Sequence, residues 1–116
     1  MPSLLKAQFL FTHNIRKFVE FIENYGYECK LNEIYRTKEQ AEIYEREGKG
    51  IRNSLHCSGL AADIYIGKFN KLLETAEQYK KFGDYWKKLN PHNRWGGDFD
   101  RVDAVHFEMN AKEGID

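Results

Sequence analysis

Ser54-Leu-His-Cys-Ser-Gly-Leu-Ala-Ala-Asp63 is the stretch on which the fold turns, because it carries a loop into a strand and takes a histidine and an aspartate with it. Gly59 lets the backbone turn sharply between them. From Leu60 to Tyr65 the residues alternate with the period of a strand, Leu60, Ala62 and Ile64 on one face and Ala61, Asp63 and Tyr65 on the other. Asp63 therefore points away from the apolar set, and the small Ala61 beside it leaves room for an ion and its water. His56 offers an imidazole nitrogen and Asp63 a carboxylate oxygen. Zinc accepts both at about 2.0 to 2.2 Å in three-ligand catalytic sites.

A third ligand is available downstream in Asp103-Ala-Val-His-Phe-Glu108, where Val105, Phe107 and Met109 alternate with His106 and Glu108. His106 leaves the apolar face as a ligand on a second strand should. Asp98, Asp100 and Asp103 are neighbouring carboxylates, and the spacing to His106 favours Asp103 as general base for a metal-held water. Asp98 and Glu108 stay open as assistants. Cys57 is also a metal-ligand type, but consecutive residues diverge, so it reads as a small packing residue.

The rest of the chain supplies packing layers. Phe11, Ile15, Phe18, Ile22 and Tyr25 recur at helical spacing, with Ser3 as a cap, Gly26 as a stop and a break expected around Thr12-His13-Asn14. His13 reads as solvated. Tyr27 to Tyr35 alternates as a strand. Thr37 and Gln40 then begin a short helix through about Arg46 as a capping box. Gly48-Lys-Gly50 lacks the arrangement of a phosphate loop and reads as a helix stop, with Lys49 and Arg52 solvated. Gly67 to Asn70 reads as a turn before a short returning strand, Lys71 to Glu74. Thr75 and Gln78 form another capping box, ahead of a helix on Tyr79, Phe82, Trp86 and Leu89 that ends before Pro91. His92 lies in the turn that follows. Arg94-Trp-Gly-Gly-Asp-Phe-Asp100 reads as a loop whose Trp95 walls the pocket. The expected fold is α+β: a small antiparallel sheet carrying the metal site, packed against an N-terminal helix and a second long helix.

A chain of 116 residues, 41% hydrophobic and 15% aromatic, is expected to form one domain, residues 1–116, with its own core and no separate wall-binding module. Its 18 basic and 18 acidic residues cancel, which argues against a nucleic-acid partner or recruitment to an anionic membrane. The first residues lack the basic region and apolar core of about 7 to 15 residues that mark a secretory signal. No stretch approaches the roughly 20 apolar residues of a membrane span. Two cysteines, Cys29 and Cys57, make a disulfide framework improbable, so the expected setting on synthesis is the cytosol.

Ser54, His56, Gly59, Ala61 and Asp63, followed by Trp95-Gly-Gly97 and then by Asp103 ahead of His106-Phe107, resemble the SxHxxGxAxD pattern and downstream motif of one family. That family is the zinc D-alanyl-D-alanine carboxypeptidases and L-alanyl-D-glutamate endopeptidases of peptidoglycan, including peptidase domains of many phage endolysins. Aspartate rather than glutamate at the base position is closer to the phage endopeptidases. Ala104-Val105 stands where a proline often precedes the histidine. The resemblance implies a zinc peptidase domain with His56, Asp63 and His106 as ligands, Asp103 as base, and a peptidoglycan stem peptide as substrate. It further implies that Arg36, in an Arg-Thr-x-Glu-Gln context, holds a substrate carboxylate and that Ser54 helps bind the peptide. A carboxypeptidase with the same zinc site, and a non-catalytic zinc module of the related Hedgehog-type fold, are the alternatives. Action on the wall would follow release from the cytosol, with a separate membrane-permeabilising protein giving access.

Overall fold

In the computed structural model, which describes residues 1–49 and 54–116, three helices and five short strands form an α+β fold. The expectation for Arg52 falls outside the described residues. Helix α1, Leu4–Asn24, begins where the Ser3 side chain accepts from Lys6 N at 3.1 Å, and it buries Ala7, Phe11, Ile15, Phe18 and Ile22 on one stripe. It runs unbroken through Thr12-His13-Asn14. The Thr12 hydroxyl donates to the Gln8 carbonyl at 3.1 Å, so the polar residues expected to break the helix are accommodated within it. Gly26, at φ 91°, closes the helix by donating its N–H to Glu23 O.

The sheet is antiparallel, in the order β1 (Glu28–Leu31), β2 (Ala61–Lys68), β5 (His106–Met109), β4 (Asn93–Trp95), with β3 (Lys71–Leu72) pairing the far end of β2. The first strand is shorter than its alternating pattern, but the chain beyond it stays tied to β2: Asn32 N donates to Asp63 O at 2.7 Å and Asp63 N to Glu33 O at 3.1 Å. Helix α2, Lys38–Arg46, starts on the Thr37 side chain, which accepts from Gln40 N. Helix α3, Ala76–Leu89, carries the full reciprocal capping box of Thr75 and Gln78.

Two departures concern turns. The span read as a turn, Gly67 to Asn70, is half strand: Gly67 and Lys68 still belong to β2, and Phe69 and Asn70 form a two-residue loop between the paired Lys68 and Lys71. Gly67 is needed for close approach: a Cβ there would lie 2.4 Å from the Lys71 carbonyl oxygen. The segment around Trp95, read as loop, contains β4 and then a single 3-10 turn, Gly96–Asp98.

Helices α1 and α3 cover one face of the sheet, where Leu60, Ala62, Ile64, Ile66, Phe107 and Met109 are fully buried. Phe18 sits between Trp86 and Phe107, with ring centroids 5.4 and 4.7 Å away. Tilted and edge contacts of this kind contribute about 0.5 to 1.5 kcal/mol beyond area burial. Trp86 also places polar groups, because its Nε1 is shared between the carbonyls of Arg94 (3.1 Å) and Glu108 (3.0 Å). Helix α3 thereby fixes the edge of the sheet whose opposite face carries the charged residues.

Candidate metal centre and active site

Strand alternation puts Asp63 on the face away from the helices, and the register places His106 of β5 directly across from it. The other histidine arrives from a 3-10 turn, Leu55–Ser58, that the Ser54 hydroxyl caps by accepting from His56 N at 3.1 Å. Gly59, at φ 65°, ends that turn in the left-handed region and sends the chain into β2. One ligand atom of each of His56, Asp63 and His106 lies within 4.8 Å of the others.

Each imidazole is oriented by the nitrogen that does not face Asp63. His56 Nδ1 donates to the Ile34 carbonyl at 3.2 Å, which turns Nε2 toward Asp63 Oδ1 at 3.4 Å. His106 Nε2 donates to Glu108 Oε1 at 2.7 Å and leaves Nδ1 at 3.6 Å from the same Asp63 oxygen. Glu108 is buried and held in turn by Arg94, whose Nε donates to Oε2 at 2.6 Å.

Whether these residues suit a divalent ion is answered by the oxygen at the centre. Asp63 Oδ1 is buried without a hydrogen-bond partner, which is costly for an isolated group. Its separations from the two imidazole nitrogens, 3.4 and 3.6 Å, do not make hydrogen bonds of ordinary geometry. They match the edges, roughly 3.3 to 3.6 Å, of a tetrahedron whose spokes are about 2.0 to 2.2 Å long. Two imidazoles and a carboxylate are also a donor set that zinc accepts, so the residues fit.

Charges follow the same logic. Burial by itself raises the Asp63 pKa, but the nearby His106 and His56 outweigh it and hold the carboxyl well below the usual range. Burial likewise opposes charge on His106, yet the carboxylates of Asp63 and Glu108 push its pKa up to about 9. Asp103 moves the other way. Partial loss of hydration against the surrounding protein raises its carboxyl above the ordinary value, Asp63 adds to the rise, and His106, His56 and Arg101 oppose it.

Asp103 lines the same cleft of about 570 Å³ as the three candidate ligands, together with Arg36 and Ser54. A tight turn sets it there: Asp103 N donates to Gly96 O at 2.9 Å and His106 N to Asp103 O at 3.1 Å. Gly96 is what permits the approach, since a Cβ would fall 2.1 Å from the Asp103 carbonyl oxygen and 2.9 Å from His106 Cβ.

The remaining candidates divide. Arg36 reaches the cleft but already donates through Nε and Nη2 to Glu33 Oε1 and lies 4.8 Å from the centroid of the Tyr44 ring. Ser54 is buried, with its hydroxyl committed to the His56 turn. Trp95 does not wall the pocket. It is buried between Gly83 and Gly97, where added Cβ atoms would strike its ring, and its Nε1 donates to the Ala104 carbonyl. The pair of glycines read as loop freedom is in fact a slot for this ring on one side and for the Asp103 turn on the other. Asp98 pairs with Lys87 at 2.7 Å outside the cleft. Glu108 and Arg94, by contrast, belong to the site. The strand period placed Glu108 beside His106, but nothing in the spacing linked Arg94 to it, because that contact crosses from β4 to β5.

No curated protein is significantly similar to the chain in sequence. A solved structure, the L-Ala D-Glu endopeptidase ChiX of Serratia marcescens, shares the fold at a TM-score of 0.60 with 18% sequence identity, over 71% of this chain and 66% of that one. The match thus spans slightly less than two thirds of the length of that endopeptidase. Residues 47–109, more than half of the chain and the segment holding all three candidate ligands, match the family model described as D-alanyl-D-alanine carboxypeptidase, and it is to this peptidase family that the chain belongs.

Proposed function

We propose that the chain is a single zinc-dependent peptidase domain that hydrolyses the stem peptide of peptidoglycan, at the bond between L-alanine and D-glutamate. The observation that carries the reading is the buried, unpartnered Asp63 oxygen with an oriented imidazole nitrogen on either side of it. His56 Nε2, Asp63 Oδ1 and His106 Nδ1 would hold the ion. Zinc bound there supplies Lewis acidity, polarising a peptide carbonyl and lowering the pKa of water toward roughly 7.

The protein's own groups do the rest. Asp103 takes a proton from the attacking water and returns it to the leaving amine, a task suited by a carboxyl whose pKa lies above the ordinary value. Arg36 keeps guanidinium donors beyond the two bound to Glu33 and offers them to a substrate carboxylate. Ser54 contributes by fixing the turn that presents His56. Aspartate at the base position, followed by His106-Phe107, supports the endopeptidase specificity.

The test is mass spectrometry of peptidoglycan fragments after digestion by zinc-loaded and by chelator-treated protein. New L-alanine carboxyl ends and D-glutamate amino ends, formed only with metal, are expected. Release of D-alanine alone would instead support a carboxypeptidase, the activity named in the family description. The Asp103→Ala variant should keep its zinc and lose on the order of 10² to 10⁴ in rate, the usual contribution of a general base. His56→Ala should lose the metal. Full activity in Asp103→Ala would remove aspartate 103 from the mechanism.

A further inference from the structure

Of the cations that line the metal cleft, most are already engaged. Arg36 pairs with Glu33, Lys49 with Glu47 and Arg94 with Glu108, while Arg101 donates to the Gly48 carbonyl at 2.6 Å. Lys112 has no ion-pair or hydrogen-bond partner among the described residues, yet its place is fixed. Strand β5 sends His106 and Glu108 to the metal face and Phe107 and Met109 into the core, and the alternation continues through exposed Asn110 and buried Ala111. The turn that holds Lys112 then closes as Gly114 N donates to Ala111 O at 2.8 Å, and Ile115 N donates to Ser3 O at 3.1 Å at the foot of α1. Asn110 and Lys112 both line the cleft.

Arg94 completes the group. It stands across from Glu108 in the β4–β5 register, with its guanidinium 5.6 Å from the centroid of the Phe99 ring. The Glu108 side chain is 6% exposed and that of Arg94 51%, so the acid lies beneath the cation and the surface presents positive charge. Its Nε and Nη2 serve Glu108, which leaves Nη1 with no partner among the described residues. The His106 side of the cleft thus shows two cations and an amide above one acid that His106 and Arg94 already hold. Arg36 stands on the other side, where its backbone N–H donates to the His56 carbonyl at 3.1 Å.

Distance connects this group to the chemistry. Glu108 lies two strand residues beyond His106, a rise of about 7 Å, which one to two residues of extended peptide span. A glutamyl residue carries two carboxyl groups and continues a chain through only one of them. A stem cut between L-alanine and D-glutamate therefore presents a free carboxylate within one residue of the scissile bond. We propose that Lys112, with Arg94 Nη1 and the Asn110 amide, receives that carboxylate, so that the cleft selects the acid form of the D-glutamyl residue over its carboxamide. This rests on the peptidase reading given above and adds to it a determinant of specificity.

The experiment uses the zinc-loaded full chain and two synthetic peptides containing the L-alanyl-D-glutamyl bond. They differ only in the free carboxyl of the D-glutamyl residue, an acid in one and a carboxamide in the other. The acid peptide should show a KM roughly fivefold lower than its amide twin, the size expected of a half-exposed ion pair. Its kcat should match, because a group that binds substrate and transition state alike moves KM alone. Lys112→Gln should erase the difference between the twins. A readout independent of turnover comes from titrating the peptides into zinc-loaded Asp103→Ala, where the acid peptide should shift the backbone amides of Asn110 and Lys112 and the amide peptide should shift them far less. If wild-type protein cuts neither peptide, the peptidase reading fails, and these shifts still decide the receptor. Equal KM values for the twins, a difference that survives Lys112→Gln and vanishes in Arg36→Gln, or an absence of shifts at Asn110 and Lys112 would each overturn the proposal.

Discussion

Glu108 shows how one buried acid shapes a site without touching the reacting atoms. It accepts from His106 Nε2 on one oxygen and from Arg94 Nε on the other, and burial would raise its pKa were His106 and Arg94 not holding it down. A carboxylate in that position fixes the imidazole tautomer, makes Nδ1 the free nitrogen and strengthens it as a ligand. Removing such a partner generally costs about 10- to 100-fold in metal affinity. Glu108→Ala should therefore raise the zinc dissociation constant by about that factor in competition with a chelating dye, and Glu108→Gln, whose amide oxygen still accepts, should lose less. Unchanged affinity in the alanine variant would show that His106 is oriented by the backbone alone. The three candidate ligands and Asp103 were legible in the sequence because residue type and strand period both marked them. Gly96, Arg94 and the unpartnered state of Asp63 Oδ1 were not, because each depends on what a neighbouring strand or turn brings alongside.

At the scale of the element, legibility followed periodicity. Helices α1 and α3 announced themselves through aromatic and aliphatic residues repeated at three and four, and their caps lay where Ser3 and Thr75 indicated. Three-residue β4 carries too little pattern to be seen, lying between Pro91 and a pair of glycines. The β2–β3 hairpin is where the sequence placed it, but its turn begins two residues later for a physical reason: Gly67 serves cross-strand approach and not reversal, which leaves the reversal to Phe69 and Asn70 at φ 55° and 61°. Two positive φ values in a two-residue hairpin loop form the pattern that asparagine and glycine satisfy best, and a bulky residue there is strained. Phe69 is also 85% exposed, so its ring returns little packing for that strain. Phe69→Asn/Asn70→Gly should then stabilise the fold by about 1 kcal/mol, read as a higher urea midpoint at unchanged m-value. A lower midpoint would mean that the contact between Lys68 and Phe69 outweighs the backbone relief.

Across the whole molecule, a net charge of zero concealed how folding sorts the cations, placing Arg36, Lys49, Arg94, Arg101 and Lys112 around one cleft. The candidate ligands are dispersed in the opposite sense, since His56, Asp63 and His106 come from a turn, a central strand and a strand near the other end of the chain. An ion bound by all three ties these segments together and binds only the folded chain, so it must raise stability by mass action, by about 2.7 kcal/mol at a free concentration 100 times its dissociation constant. For a domain of this size that is a rise of roughly 10 °C in Tm. Zinc should produce it in the wild type and in Asp103→Ala but not in His56→Ala, and a chelator should reverse it. Because the shift needs ligands and no base, its retention in Asp103→Ala beside a lost rate would separate holding the metal from moving the proton. A shift of equal size in His56→Ala would mean that the ion is held without His56.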